Sequence, residues 1–165
     1  MIMAFAKEEY LLGILRIFLG LMLVWAFFDK FLGLGFSTLP ERSWLAGVSP
    51  IEGFLTNAVR GPFAEFYHAI AQSQLAVYLF MLGILLIGLS LIFGIFMRLA
   101  CWSGAILFLS MWTALLPPVN HPFLDEHVIY LFLLITLYFA RAGRFLGCGN
   151  LWSKTKLVKR FHFLE

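Results

Sequence analysis

The chain has 165 residues, of which 62% are hydrophobic and only 13% are charged, and its formal net charge is +3. A water-soluble domain is nearer half apolar and a quarter charged. The composition therefore excludes an ordinary soluble domain and predicts one all-α membrane domain over residues 1–165. The small net charge gives no reason to expect nucleic acid as a partner.

Four apolar stretches are long enough to cross a bilayer. They lie at about residues 10–33, 74–96, 99–116 and 126–140. Glu8 and Glu9 precede the first stretch and no small-residue cleavage site follows it, so we expect a retained span and not a signal peptide. Helices satisfy every backbone hydrogen bond in hydrocarbon, so the pattern predicts an integral membrane four-helix bundle.

Lysine and arginine are divided unevenly between the two ends of such a bundle. The end that carries both termini would hold most of them: Lys7, Arg98, Arg141, Arg144, Lys154, Lys156, Lys159 and Arg160. The other end would hold Lys30, Arg42 and Arg60. The positive-inside rule then predicts a multi-pass protein of the plasma membrane with both termini in the cytoplasm.

The connection between spans 1 and 2, at about residues 36–73, is unusually apolar for a loop. Ser49-Pro50-Ile51-Glu52 is a capping-box pattern, and Ile51, Phe54, Leu55, Ala58 and Val59 then share one helical face. Beyond Gly61-Pro62, a second stripe is formed by Phe63, Phe66, Tyr67 and Ile70. We predict two short interfacial or re-entrant helices on the outer face, acting either as a lid or as simple surface packing.

The tail at about residues 147–165 is basic and amphipathic, which suits anionic lipid at the inner surface or docking of a partner. Glycines within the first two spans indicate close helix packing, and a homodimer is compatible with such faces. Cys101 and Cys148 form no metal-binding or haem-attachment motif, so we expect neither metal nor haem.

Ionisable residues inside the apolar stretches cost about 2.5 to 3.5 kcal/mol each at the centre of a bilayer, and they are the main pointer to function. Asp29 and Lys30 lie near the outer end of the first span, and Asp125, Glu126 and His127 lie at the outer start of the fourth. We expect these two groups, with Arg60, to meet in a polar pocket beneath the lid. His127 is the natural proton carrier there, because imidazole exchanges protons near neutral pH.

Each of these residues also has a structural explanation. Asp125 is well placed as a helix N-cap, with Glu126 favoured by the positive end of the same helix. Lys30 can extend to the outer headgroups, whereas Asp29 is too short to do so and needs a partner, with Arg60 or His127 expected. Arg16 either extends to the inner surface or contacts a carbonyl or an anion inside the bundle.

Several segments together resemble the DoxX/DoxD family of small four-span membrane proteins. They are Leu15-Arg16-Ile17, Trp25-Ala26-Phe27-Phe28-Asp29-Lys30, Gly33-Leu34-Gly35-Phe36, Gly53-Phe54-Leu55, Asn120-His121-Pro122-Phe123-Leu124-Asp125-Glu126-His127 and Gly143-Arg144. The resemblance covers nearly the whole chain. The family takes its name from a subunit of an archaeal enzyme that joins two thiosulfates into tetrathionate and passes the electrons to membrane quinone. Other members are similar in fold but have no established activity, and some are associated with redox-stress complexes that contain a sulfurtransferase and a superoxide dismutase.

The resemblance implies a quinone-linked oxidoreductase that acts with a second subunit. Asp29, Glu126 and His127 would then be catalytic, while Lys30, Arg60, Arg16 and Asp125 would bind the anionic substrate. The quinone ring would lie among aromatic side chains: Trp25, Phe28, Trp112 and Tyr130. Two alternatives stay open, namely a non-catalytic assembly subunit that docks soluble redox enzymes, such as a sulfurtransferase-like partner, and a small-ligand transporter.

Overall fold

A computed structural model describes residues 6–165, and within that range the protein is all-helical, with no strand. Eight α-helices follow one another along the chain: α1 Lys7–Leu32, α2 Glu52–Asn57, α3 Ala64–Ile70, α4 Gln74–Phe93, α5 Met97–Ala114, α6 Glu126–Phe139, α7 Gly149–Trp152 and α8 Lys156–Arg160. Four of them, α1, α4, α5 and α6, occupy the four predicted apolar stretches. By length and composition α1 and α4 can cross a membrane, and α6 is a shorter apolar helix. The crossing of α5 and α6 stays a prediction.

The long helices pack in chain order, α1 on α4, α4 on α5 and α5 on α6. Within residues 6–165, α1 and α6 make hardly any direct contact. Glycines allow α1 and α4 to approach closely, as predicted. A Cβ added to Gly20 would lie 2.8 Å from the carbonyl oxygen of Gly88, closer than carbon and oxygen pack.

The two short helices predicted for the first connection are present as α2 and α3. Ser49 Oγ accepts a hydrogen bond from the Glu52 backbone N–H at 3.2 Å, and Ile51, Leu55 and Val59 are buried as expected. The apolar stripe predicted for α3 is buried only in part. Tyr67 is buried, but Phe63 and Phe66 point away from the bundle and are 46% and 61% exposed. The helix covers the bundle with a narrower stripe than the aromatic spacing indicated.

The opposite end of the bundle is closed by the chain that follows α6. A 3₁₀ turn at Ala142–Arg144 packs against α1, and the Cys148 backbone N–H donates to the Phe93 carbonyl at 2.8 Å. Val158 of α8 is buried, while Lys156 and Lys159 of the same helix are exposed. Leu151 and Leu157 of the same tail are 71% and 47% exposed, so the amphipathic character of the tail stays a prediction.

Candidate functional site

A cavity of about 590 Å³ lies beneath α2 and α3, between α4 and α5. Its wall is almost entirely apolar. The lining residues are Lys30, Pro50, Ile51, Phe54, Leu55, Tyr67, Ile70, Ala76, Leu79, Phe80, Gly83, Ile87, Ser103, Ile106, Leu107, Ser110, Met111 and Ala114. Small-molecule sites usually measure 300 to 1,000 Å³ and have mainly apolar walls, so this cavity has the size and chemistry of a ligand site.

The cavity is elongated and reaches the side of the bundle. Along α5 its lining runs from Ser103 to Ala114, which is about 16 Å at 1.5 Å per residue. Two of its apolar residues, Leu79 and Ile106, are 66% and 67% exposed on the outward faces of α4 and α5. An elongated apolar molecule can therefore enter from the side, between the two helices.

Hydrogen bonds fasten the covering segment to the bundle. The Tyr67 hydroxyl lies 2.8 Å from the Ser110 carbonyl oxygen, to which it donates, and 2.7 Å from Thr113 Oγ1. The Arg60 backbone N–H donates to the Ala114 carbonyl at 3.3 Å. Because all three contacts are to residues 110–114, α2 and α3 form a roof whose position is set by the C-terminal end of α5.

Lys30 is the charged residue of the lining. Its side chain is half-buried, and within the described part of the chain no carboxylate lies within ion-pair distance of it. The lining serines offer little competition for a ligand, since Ser103 Oγ and Ser110 Oγ donate at 2.7 Å to carbonyls of their own helix. The arrangement combines an apolar wall with one ammonium group, which comes from the last turn of α1.

Asp29, next to Lys30, points away from this cavity. It is 1% exposed and accepts hydrogen bonds from the Phe36 backbone N–H at 3.2 Å and from the Ser37 backbone N–H at 3.0 Å. Ser37 Oγ donates to the same carboxylate at 2.5 Å. The prediction that Arg60 or His127 would pair with Asp29 is therefore wrong, because the loop that follows α1 folds back and supplies the donors.

Asp125 and His127 form a separate pair at the start of α6. Asp125 Oδ1 accepts from the His127 and Val128 backbone N–H groups, which confirms the predicted N-cap. Asp125 Oδ2 lies 2.8 Å from His127 Nδ1, and the imidazole packs against Phe108. The expected meeting of His127 with Asp29 is not found, because neither lines the cavity and α1 and α6 barely touch.

Glu126 is exposed, yet its carboxylate completes a small cluster. One potential ligand atom from each of Asp125, Glu126 and His127 lies within 4.8 Å of the others. The sequence predicts these three residues as part of a polar pocket and not as a metal site, because three consecutive residues match no spaced metal-binding motif. Such acidic groups are common without a bound ion, so the cluster is a geometric feature of the α6 start.

Arg16 lies at the opposite end of the bundle from the cavity. Its side chain is fully buried, and its guanidinium donates to the carbonyls of Leu91 and Ile92 in α4 and of Phe145 and Leu146 after α6. The predicted contact with carbonyls inside the bundle is confirmed. Arg60, also predicted to bind substrate, is exposed and does not line the cavity.

The four aromatic residues predicted to surround a quinone are dispersed, and none of them lines the cavity. Trp25 packs against Phe36, and Phe28 against Phe27, at the α1 surface. Trp112 Nε1 donates to the Phe123 carbonyl at 2.8 Å, and Tyr130 packs against Phe108. The aromatic rings of the cavity come instead from the roof and from α4, as Phe54, Tyr67 and Phe80. The apolar face of α2 was the sequence signal for this wall.

Comparisons with protein-family models, with curated proteins and with solved structures found no match.

Proposed function

We propose that the protein is a four-span membrane protein that binds a membrane quinone in the cavity beneath α2 and α3. The apolar outward faces of all four long helices support the membrane placement. Each of these helices has a large apolar side chain near its middle that is strongly exposed. These side chains are Phe18 at 63%, Leu86 at 60%, Ile106 at 67% and Phe132 at 61%. Surfaces of this kind belong in contact with lipid.

The observation that carries the quinone proposal is the pairing of a long apolar cavity with a single ammonium group. A quinone has an apolar ring and chain and carbonyl oxygens that accept hydrogen bonds. In the proposed pose the ring lies near Tyr67 and Phe54, and Lys30 donates to one carbonyl. The chain follows α4 and α5 and leaves between Leu79 and Ile106.

The resemblance to the DoxX/DoxD family extends this proposal to a reaction. Two thiosulfates form a sulfur–sulfur bond and give up two electrons, and the quinone takes up those electrons with two protons to become a quinol. The second subunit of such an enzyme would contribute to the thiosulfate chemistry. The catalytic roles of Asp29, Glu126 and His127 stay predictions. Lys30 is the predicted residue that the geometry supports best, because it lines the cavity.

A cavity-filling variant tests quinone binding. Gly83 lines the cavity, and a Cβ added there meets no atom within 4 Å, so Gly83→Leu should be tolerated while its side chain occupies ligand space. A Cβ added to Gly53 on α2 is equally unobstructed, and Gly53 lies outside the cavity lining, so Gly53→Leu is the matched control.

We expect decylubiquinone to bind the purified protein, and Gly83→Leu to weaken binding at least tenfold while Gly53→Leu does not. Lys30→Met should weaken binding by a similar factor, since it removes the donor and keeps the apolar stem. Equilibrium binding in detergent measures both effects. Absence of quinone binding to the parent protein, or equal loss in Gly53→Leu, would refute the proposal. Thiosulfate-dependent quinone reduction with the partner subunit present tests the reaction separately.

A role in assembly is favoured by one further observation, the exposed basic side chains of the tail, Lys154, Lys156, Lys159 and Arg160. They offer an acidic soluble enzyme a docking surface next to the bilayer. Neutralising all four should then abolish co-purification of the soluble partner while quinone binding is unchanged. Retention of the partner by that variant would count against docking through the tail.

A further inference from the structure

A second cavity, of about 280 Å³, lies at the end of the bundle away from the quinone cavity. It is basic where the first is apolar. Its lining residues are Gly94, Met97, Arg98, Tyr138, Phe139, Arg141, Gly143, Arg144, Gly149, Trp152, His162 and Glu165. Nothing in the proposed quinone chemistry uses this cavity, so its residues need a separate explanation.

Two segments of the chain, the start of α5 and the turn after α6, bring the arginines together. Arg98 lies in the first turn of α5, Arg141 follows α6, and Arg144 ends the 3₁₀ turn that packs under α1. Arg141 has a left-handed backbone conformation, with φ of 51°, which places it at the sharp change of direction after α6. The three arginines therefore line one cavity. The positive-inside rule does not require this clustering, since arginines spread around the end of the bundle would satisfy it equally well.

One carboxylate already lies in this cavity. Glu165 Oε1 is 2.8 Å from Arg144 Nη2, and the Arg98 backbone N–H donates to the main-chain oxygen of Glu165 at 2.8 Å. Within residues 6–165, Arg98 and Arg141 have no carboxylate side chain within ion-pair distance. The cavity thus accepts an anionic group and has guanidinium groups left over to bind more negative charge.

We infer that this cavity binds a phosphate group, which competes with the Glu165 side chain for Arg144. A phosphate presents several strong acceptor oxygens to the arginines, which a single carboxylate cannot do. Basic pockets between helices on the cytoplasmic side commonly hold phospholipid headgroups. Trp152 and Tyr138 lie in the same wall, and such side chains favour the boundary between lipid and water.

The phosphate has two possible sources, an anionic phospholipid or a soluble phosphate. Thermal unfolding of the full chain in detergent separates them. One titration uses phosphatidylglycerol, a second uses phosphatidylcholine, and a third uses inorganic phosphate at constant ionic strength. If the source is lipid, we expect phosphatidylglycerol to give saturable stabilisation that exceeds the stabilisation by phosphatidylcholine. If the source is soluble, we expect inorganic phosphate to give saturable stabilisation.

Two variants locate the binding. Arg98→Gln combined with Arg141→Gln should weaken the apparent affinity at least tenfold, because it removes two of the three guanidinium groups. Arg42→Gln combined with Arg60→Gln removes the same charge from exposed positions at the roofed end, outside the cavity lining, and should change the affinity less than twofold.

A third variant tests the inference even if the protein does not fold with the arginine substitutions. Glu165→Gln removes the competing carboxylate and keeps every guanidinium, so it should tighten binding several-fold. The inference is overturned if neither phosphatidylglycerol nor inorganic phosphate gives saturable stabilisation. It is also overturned if the two double variants weaken binding equally, or if Glu165→Gln leaves the affinity unchanged.

Discussion

Arg16 lies fully buried, and its guanidinium reaches two chain segments that are distant in sequence, Leu91–Ile92 and Phe145–Leu146. Within the described residues no carboxylate pairs with it. The carbonyls of Leu91 and Ile92 lie in the last turn of α4, where the helix dipole places partial negative charge. The cation is thus stabilised by backbone carbonyls, and it joins α1, α4 and the chain after α6.

Replacing Arg16 should therefore destabilise the whole fold. Arg16→Gln removes the charge and most of the donors from four carbonyls, and we expect a loss of about 3 kcal/mol, because a hydrogen bond to a charged donor contributes about 1.5–3 kcal/mol. Reversible unfolding in mixed micelles measures it. Arg60→Gln, at an exposed position, is the matched control. A loss in Arg16→Gln no larger than in the control would contradict this structural role.

Asp125 has two functions that one substitution can separate. It accepts two backbone N–H groups at the start of α6, and its other oxygen lies 2.8 Å from His127 Nδ1. Serine can cap the helix but is too short to keep the contact with the imidazole. We expect Asp125→Ala to cost about 1 kcal/mol of stability and Asp125→Ser to restore most of it. Hydrogen exchange of the first turn of α6 reports the cap. Equal losses in both variants would show that the contact with His127 matters more.

The sequence predicted the local contacts of such residues better than the distant ones. The cap at Asp125 is local, because its partners lie two and three residues later. The partners of Asp29 lie seven and eight residues later, and reaching them requires the left-handed turns at Gly33 and Gly35, with φ of 71° and 85°. Two glycines followed by Ser37 after a helix end were the available signal for this returning loop.

At the scale of elements, hydropathy placed the helices well. α4 begins at Gln74 and α6 at Glu126, the residues predicted, since apolar runs bounded by polar caps have sharp edges. Packing within an element was harder to predict. Phe63 and Phe66 continue the apolar stripe of α3 but are exposed, because apolar periodicity alone does not show which part of a stripe packs against a neighbouring helix.

Close packing of α1 on α4 gives a prediction at this scale. A Cβ on Gly88 would lie 2.8 Å from Val24 Cγ2 and 2.9 Å from the Gly20 carbonyl oxygen. Gly88→Ala should force the helices apart and cost about 1–3 kcal/mol, as other overpacked cores do. Gly53→Ala, where a Cβ meets open space, should be neutral or slightly stabilising. Thermal unfolding compares the two, and a neutral Gly88→Ala would mean that the helix contact is looser than described.

For the whole molecule, the two ends of the bundle differ in character. One end has a roofed apolar cavity, and the other has a basic cavity. The sequence predicted this polarity through the distribution of lysine and arginine. It did not predict that Asp29 and His127 would be kept apart, because hydropathy defines spans without stating which spans touch. Here α4 and α5 lie between α1 and α6, so the outer charges are distributed over separate sites.

The orientation of the whole molecule can be tested with its own cysteines. Cys148 is exposed at the basic end and Cys101 is buried, so a membrane-impermeant maleimide should report on Cys148 alone in the parent protein. With both termini in the cytoplasm, intact cells should not be labelled and permeabilised cells should. Arg42→Cys combined with Cys148→Ser moves the exposed thiol to the roofed end, and it should be labelled in intact cells. If Cys148 is labelled in intact cells and the thiol at residue 42 is protected, the orientation is the opposite of the one predicted. Equal labelling of both thiols would contradict membrane insertion.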